Sequence, residues 1–415
     1  MRRHLLAAFV VVPAAVFAVA QAGLFSSSSP AAAQDVVERS LTVRAAMKAK
    51  PCDDHCKPDW MDANLRLNQI QIVGTAESYK QRPDGALMSL IRMGGKKDAE
   101  ALDYGLPPIG TQLDADVRTL GFDVAYDPKG GAYKNPAGAS MAMDLLSDDY
   151  IKVMSKPGFK VIHVLDVDYR SSCLLLSDCL TEVAAWSRAH PGHLPLVITL
   201  RTNDVKTPMP GATRPLPCDE AALNALDAEI KAAFSPDQLF TPDQLQGSYS
   251  SLREAAMAHA WPKLGAVRGK VIFVLDDNAA KAKAYRGHRN ALEGRLMFTA
   301  ADETSPLAAF VAISDPVKDG ARIQKVVKDG FMVITRADDD TREARLNNAA
   351  RRDAAFASGA QIIRTNFINP DPAIGAYSVS LAEYPEAMCG AGSPERCVRF
   401  VDFTPTGRTV AAIAP

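Results

Sequence analysis

Val271-Ile272-Phe273-Val274-Leu275, followed at once by Asp276-Asp277, is the clearest of a series of short apolar runs in this chain. Five large apolar residues without alternation describe a strand buried on both faces, the situation of a parallel sheet covered by helices. Seven more runs lie outward from it: Gln69 to Val73, Val117 to Val124, Val161 to Leu165, Leu196 to Leu200, Leu296 to Phe298, Met332 to Ile334 and Gln361 to Ile363. Each ends in polar residues and is followed by room for a helix. Ala221 to Phe234 is Ala- and Leu-rich, and Thr341 to Ala357 carries Glu343 and several Arg on a helical period. Eight such strands over roughly 320 residues predict an α/β fold, a single-domain (β/α)8 TIM barrel with insertions. An open doubly wound sheet is the competing arrangement, and the absence of a Gly-rich phosphate loop after the first run counts against it.

In such a barrel the chemistry sits just past the carboxyl end of each strand. Those positions hold Ala76, Glu77 and Ser78; Gly121 and Asp123; His163, Asp166 and Asp168; Arg201, Asn203 and Asp204; Asp276 and Asp277; Thr299; Arg336 and Asp338; Thr365 and Asn366. Asp166, Asp168 and Asp338 also fit orienting residues or loop caps. His190 and His193 flank Pro191-Gly192 at the opposite end and read as turn residues, and Arg342 to Arg352 reads as the solvated face of a helix.

The first residues, Met1-Arg2-Arg3-His4, an apolar run from Leu5 to Ala20 and small residues up to Ala33, have the pattern of a signal peptide over 1–33. A retained anchor is the alternative, against which stand the shortness of the run and Pro13 within it. A lead segment over 34–64, the barrel over 65–385 and a tail over 386–415 complete the organisation. Removing Arg2 and Arg3 lowers Lys+Arg from 47 to 45 against 48 Asp+Glu, so charge gives no reason to expect a nucleic-acid or polybasic membrane binder. Of seven cysteines, Cys52 with Cys56, Cys173 with Cys179 and Cys389 with Cys397 read as local disulfides in an oxidising compartment, leaving Cys218 over. Zinc at Cys52-Asp53-Asp54-His55-Cys56 is disfavoured because no second pair with finger spacing follows. The expected location is secreted or periplasmic.

Motifs in order add to the pattern: Leu67-Asn68-Gln69-Ile70-Gln71 leading to Gly74-Thr75 and Ser78-Tyr79; Pro107-Pro108 with Gln112-Leu113-Asp114; Asp123-Val124; His163-Val164-Leu165-Asp166-Val167-Asp168 running into Ser172-Cys173; His190-Pro191-Gly192-His193-Leu194-Pro195; Thr241-Pro242-Asp243; Arg268-Gly269-Lys270-Val271; Thr335-Arg336-Ala337-Asp338; and Ala354 to Gln361. Together they make the chain resemble the calcium-dependent phosphatidylinositol-specific phospholipase C family, from about Leu65 to about Pro372. The resemblance implies a TIM barrel of phospholipase C-like phosphodiesterase type. Its chemistry is phosphodiester cleavage by two histidines, with a calcium ion clamping the inositol 2-hydroxyl and a phosphate oxygen. Such a reaction needs a base for the hydroxyl, an acid for the leaving oxygen and positive charge for the phosphorane, with hard oxygens holding the calcium.

Carried onto this sequence, the family's first histidine falls on Ala76 and the adjacent calcium-binding Asn on Glu77. The Glu-x-Asp pair becomes Gly121-Phe122-Asp123, the second histidine is His163, and the fourth-strand Glu becomes Arg201, a fixed cation. The last strand reads Arg364-Thr365-Asn366-Phe367 in place of Thr-Asp-Tyr. Two expectations follow. In one, a rebuilt site uses Glu77 as base, His163 as acid and Arg201 as the stabiliser of phosphate charge, with Arg336, Asp123 and Asp168 contacting substrate. In the other, a secreted binding protein holds an anionic or sugar-phosphate ligand without turnover. Calcium is the family's cofactor and none is expected here; Asp123 is the metal ligand only if calcium is bound. Expected partners are a small-molecule or lipid-headgroup phosphodiester, with no nucleic acid and at most transient membrane contact, and the expected state is a monomer.

Overall fold

An apolar strand must be covered on both faces and hydrogen-bonded on both edges, and this chain meets the demand by closing a ring. In the computed structural model, which describes residues 58–381, the strands in chain order are β1 (Ile72–Thr75), β2 (Thr119–Ala125), β3 (Lys160–Val161), β4 (Leu196–Thr202), β5 (Val271–Leu275), β6 (Met297–Ala300), β7 (Ala308–Ala312), β8 (Met332–Arg336) and β9 (Ile362–Thr365). All but β3 are parallel neighbours in the order β1-β2-β4-β5-β6-β7-β8-β9, and β9 returns to β1 with Ile72 opposite Ile362 and Gly74 opposite Arg364. Helices such as Leu176–Ala189, Glu220–Ala233 and Pro316–Lys328 alternate with the strands. The result is the closed (β/α)8 barrel expected from the apolar runs. The signal-peptide reading, the Cys52–Cys56 and Cys389–Cys397 pairs and the tail over 386–415 lie outside the described residues.

One member of the predicted strand set is corrected. Val161 to Leu165 is not a barrel strand: only Lys160–Val161 is extended, and it runs antiparallel to the end of β2, with Val124 opposite Val161. Its apolar residues face other partners, Ile162 and Leu165 packing with Leu87, Met88, Met154 and Tyr169 in a side core. An apolar run reports burial, not which sheet it joins. The missing eighth strand is β7, Ala308-Ala309-Phe310-Val311-Ala312, hidden because alanine carries little strand signal. The helix predicted over Thr341 to Ala357 is two helices, Arg342–Leu346 and Ala350–Ala357, broken where Asn347 takes a left-handed φ of 46°. Nor is its arginine row a solvated face throughout, since Arg351 and Arg352 are buried and donate to the carbonyl oxygens of Ser314 and Ser378.

The lower part of the barrel is apolar, with Phe298, Phe310 and Trp261 fully buried against one another. Cys173 and Cys179 are bonded, tying the loop beyond Asp168 to the helix Leu176–Ala189; Cys218 is buried and bonded to no cysteine among the described residues. His190 and His193 form the turn before β4, with the His193 N–H donating to the His190 carbonyl oxygen. Among the described residues no helix is long and apolar enough to cross a membrane.

β1 and β2 meet more closely than side chains allow. A Cβ on Gly121 would lie 1.9 Å from the carbonyl oxygen of Ala76, and one on Gly74 2.2 Å from that of Thr119. Gly121→Ala is therefore expected to cost about 2–3 kcal/mol, since neither strand can yield within the ring. Gly85→Ala, where nothing lies within 4 Å of the new methyl, is the control. Urea midpoints of the two variants check this; equal midpoints would contradict the close approach.

Candidate active site

Side chains alternate across a strand, so residues at every second position point into the barrel. Register then fixes who meets whom in the mouth: Asp123 on β2 lies opposite Arg201 on β4, and Arg336 on β8 opposite Arg364 on β9. Asp276 follows β5 directly, held by its N–H donating to the Leu200 carbonyl oxygen at 2.9 Å. Glu77 comes from the turn after β1 and His163 from the loop after β3.

These groups converge. Ligand atoms of Glu77, Asp123 and His163 all lie within 4.8 Å of one another. Arg336 Nη1 stands 3.9 Å from Glu77 Oε1, and Arg201 reaches both Asp123 Oδ1, at 4.0 Å, and Asp276 Oδ2, at 3.7 Å. Arg364 Nη1 donates to Asp276 Oδ2 at 2.7 Å. Two phenols hold the far carboxylate oxygens: Tyr104 donates to Glu77 Oε2 and Tyr79 to Asp123 Oδ2, each at 2.9 Å. With its amide nitrogen toward Glu77, Asn366 donates to Oε2 at 3.0 Å and accepts from Arg336. His163 Nδ1 donates to Asp168 Oδ2 at 2.8 Å, and Asn203 pins the carbonyl oxygens of Ile162 and His163 at 2.8 and 3.1 Å.

The electrostatics separate the two carboxylates. Burial works against ionisation of Glu77, but Arg336, His163, Arg201 and the Tyr104 hydroxyl outweigh it and hold the carboxyl down at about 2. At Asp123 burial prevails over Arg201, His163 and Tyr79, with Glu77 adding repulsion, and the carboxyl is pushed above its ordinary range. His163 is moved upward: burial disfavours its cation, yet the bond to Asp168 and the charges of Asp168, Glu77 and Asp123 hold the proton on. A carboxyl pair whose proton affinities are driven apart is an arrangement suited to acid–base work.

The family cofactor can be tested against this donor set. Calcium takes six to eight oxygens, several of them anionic. Here the converging carboxylates are Glu77 and Asp123, each already faced by a guanidinium, while Asp276 is engaged by Arg364 and Arg201. Glu77, Asp123 and Asp276 each already face an arginine, so little of their charge is free to hold a dication. Glu77, Asp123 and His163 stand close enough to meet at one ion, but two carboxylates and an imidazole fall short of the six to eight oxygens that calcium takes.

Of the residues singled out in the sequence, Glu77, Asp123, His163, Arg201 and Arg336 come together, with Asp168 behind His163. Others are structural. Asp166 accepts from the N–H groups of Ala137 and Thr213 at 3.0 and 2.8 Å, Asp338 from that of Asn366 at 2.9 Å, and Asp204 pairs with Lys281. Tyr104, Lys80 and the lumen role of Arg364 were not foreseen. Tyr104 follows Glu77 by 27 residues and no local pattern links them; Arg364 lies two positions from Ile362 on a strand face, a spacing that could have flagged it.

The fold is a closed (β/α)8 TIM barrel with imidazole, carboxylates and guanidiniums at its carboxyl end. A model of the family described as phosphoinositide phospholipase C, Ca2+-dependent, matches residues 65–390. The chain belongs to that family. Among solved structures it is similar to the calcium-dependent phosphoinositol-specific phospholipase C of a Pseudomonas species, in a form described as a myoinositol complex, at 16% identity over 76% of this chain and 94% of that one with a TM-score of 0.45. It is similar also to the calcium-dependent phosphatidylinositol-specific phospholipase C of Streptomyces antibioticus, at 16% identity over 74% of this chain and 96% of that one with a TM-score of 0.46. No curated protein matches the chain.

Because Glu77 sits at about 2 against an ordinary 4.5, its ionised form stabilises the fold above pH 4.5, and that contribution is lost as pH falls through about 2. Glu77→Gln is expected to reduce the loss of stability between pH 4.5 and 2 by about 2–4 kcal/mol. Denaturant titrations at stepped pH check it, and parallel curves for the two proteins would contradict it.

Proposed function

We propose that this chain is a phospholipase C-like phosphodiesterase that works without calcium on an inositol-type phosphodiester. Arg201 and Arg336 hold the phosphate oxygens and stabilise the charge that grows on phosphorus, taking the place of a metal. His163, buried yet with its proton held on by Asp168, Glu77 and Asp123, donates to the leaving oxygen. The Glu77–Asp123 pair receives the proton of the attacking ring hydroxyl. In the sequence Glu77 occupies the neighbourhood of the lost base, but a carboxylate at about 2 is a weak one; Asp123, pushed upward, is the better-matched acceptor, with Glu77 keeping Arg336 and His163 charged. The observation that carries this reading is the meeting of His163 with two carboxylates inside 4.8 Å, each flanked by a guanidinium.

Ala76 favours a second reading. With no titratable group at the first histidine's position, the same mouth would bind an anionic or sugar-phosphate ligand without turning it over. The two readings part on activity. Phosphatidylinositol and soluble glycerophosphoinositol are assayed with calcium and with chelator. Turnover is expected to be insensitive to chelator and to fall by about 10²–10⁴ in His163→Ala. Turnover abolished by chelator would overturn the metal-free mechanism; no turnover, with thermal stabilisation by inositol phosphate, would favour the binding protein.

A further inference from the structure

His163 can shuttle a proton only if both its charged and its uncharged forms are tolerable where it stands. Its orienting partner Asp168 is fully buried, and a buried charge stripped of its counter-charge costs several kcal/mol. Were His163 the sole partner of Asp168, loss of the imidazole proton would strand that carboxylate, and the proton would stay. Asp168 has a second partner. Lys80, also wholly buried, brings Nζ to 3.1 Å from the same Oδ2 that accepts from His163. The ammonium donates as well to the carbonyl oxygens of Leu102 and Tyr104, at 2.9 and 3.0 Å, so its three N–H bonds have three acceptors. It stands 4.4 Å from the centre of the Tyr104 ring, whose hydroxyl holds Glu77. One buried cation thus braces the orienters of both His163 and Glu77 without reaching the lumen.

We propose that Lys80 is a positioning residue: its ammonium is a second counter-charge of Asp168, which leaves the His163 imidazole able to release and regain a proton while staying oriented. The inference rests on the reading of His163 as the proton carrier of the site. Arg201 on β4 and Arg336 on β8 bring cations into the same mouth, beside Asp123 and Glu77. Against them, Asp168 from the His163 loop, Glu77 from the turn after β1, Asp123 on β2 and Asp340 after β8 are acids that hold the His163 proton on. Lys80 is the cation bonded to the one that orients the ring, and it opposes them.

The test is the titration of His163, followed by the NMR signals of its ring and assigned with His163→Asn, in the wild type, in Lys80→Met and in Lys80→Gln. The glutamine keeps an amide donor in place of the ammonium while removing the charge. Removing the charge is expected to move the midpoint of the His163–Asp168 pair upward by about one unit or more. A midpoint that stays or falls overturns the proposal. Denaturant stability of Lys80→Gln at pH 5 and pH 8 decides the matter if neither variant is folded at neutral pH. A group whose folded value is raised contributes stability below its unfolded value and loses it as pH rises through the folded one. The variant is therefore expected to fold at pH 5, where His163 is charged, and to lose more stability than the wild type toward pH 8. Failure to fold at pH 5, or parallel curves, overturns it. Neither measurement needs turnover. A shifted midpoint without phosphodiester cleavage would sink the proposed activity alone, and cleavage with an unshifted midpoint would sink the role of Lys80 alone.

Discussion

Arg201 stands between Asp123 and Asp276 in the mouth of the barrel, and the rest of the site is arranged around that contact. A guanidinium cannot be deprotonated in a protein, so its charge is a fixed boundary condition. Given it, Asp123 is faced by a cation without any metal, Asp276 is shared with Arg364, and Glu77 finds its own cation in Arg336. Each of Glu77, Asp123 and Asp276 thus has an arginine beside it. Through Asp123 and Asp276, Arg201 links the ends of β2, β4 and β5.

The backbone reinforces the same outcome. Where the family resemblance implies a Glu on β2, this chain has Gly121, and the Ala76 carbonyl oxygen fills the space its Cβ would need. Gly121 N–H and Ser78 Oγ are hydrogen-bonded at 2.8 Å across the same approach. Gly121 and Gly74, each without a Cβ, permit this close meeting of β1 and β2, and a larger side chain at position 121 would have to displace the Ala76 carbonyl.

The barrel was legible because parallel strands buried on both faces write themselves as apolar runs, and most of the runs are strands. The exceptions are instructive. Val161 to Leu165 is apolar because it packs into a side core, and β7 is missed because Ala308, Ala309 and Ala312 give no strand signal. In the site, Glu77, Asp123, His163, Arg201 and Arg336 were legible because strand ends point at the mouth. Tyr104 and Lys80 were not, since their contacts with Glu77 and Asp168 are made by the folded chain over separations of 27 and 88 positions, which no local spacing encodes.

The central claim is that arginine has replaced calcium as the source of positive charge in the mouth. Calorimetric titration of the purified protein with calcium, with and without a saturating inositol phosphate, tests it directly. The account predicts no saturable heat assignable to the site in either case, whereas Arg201→Glu, which restores an acid on β4, is the variant in which calcium affinity should rise. Stoichiometric calcium binding to the wild type that is lost in Asp123→Asn would contradict it.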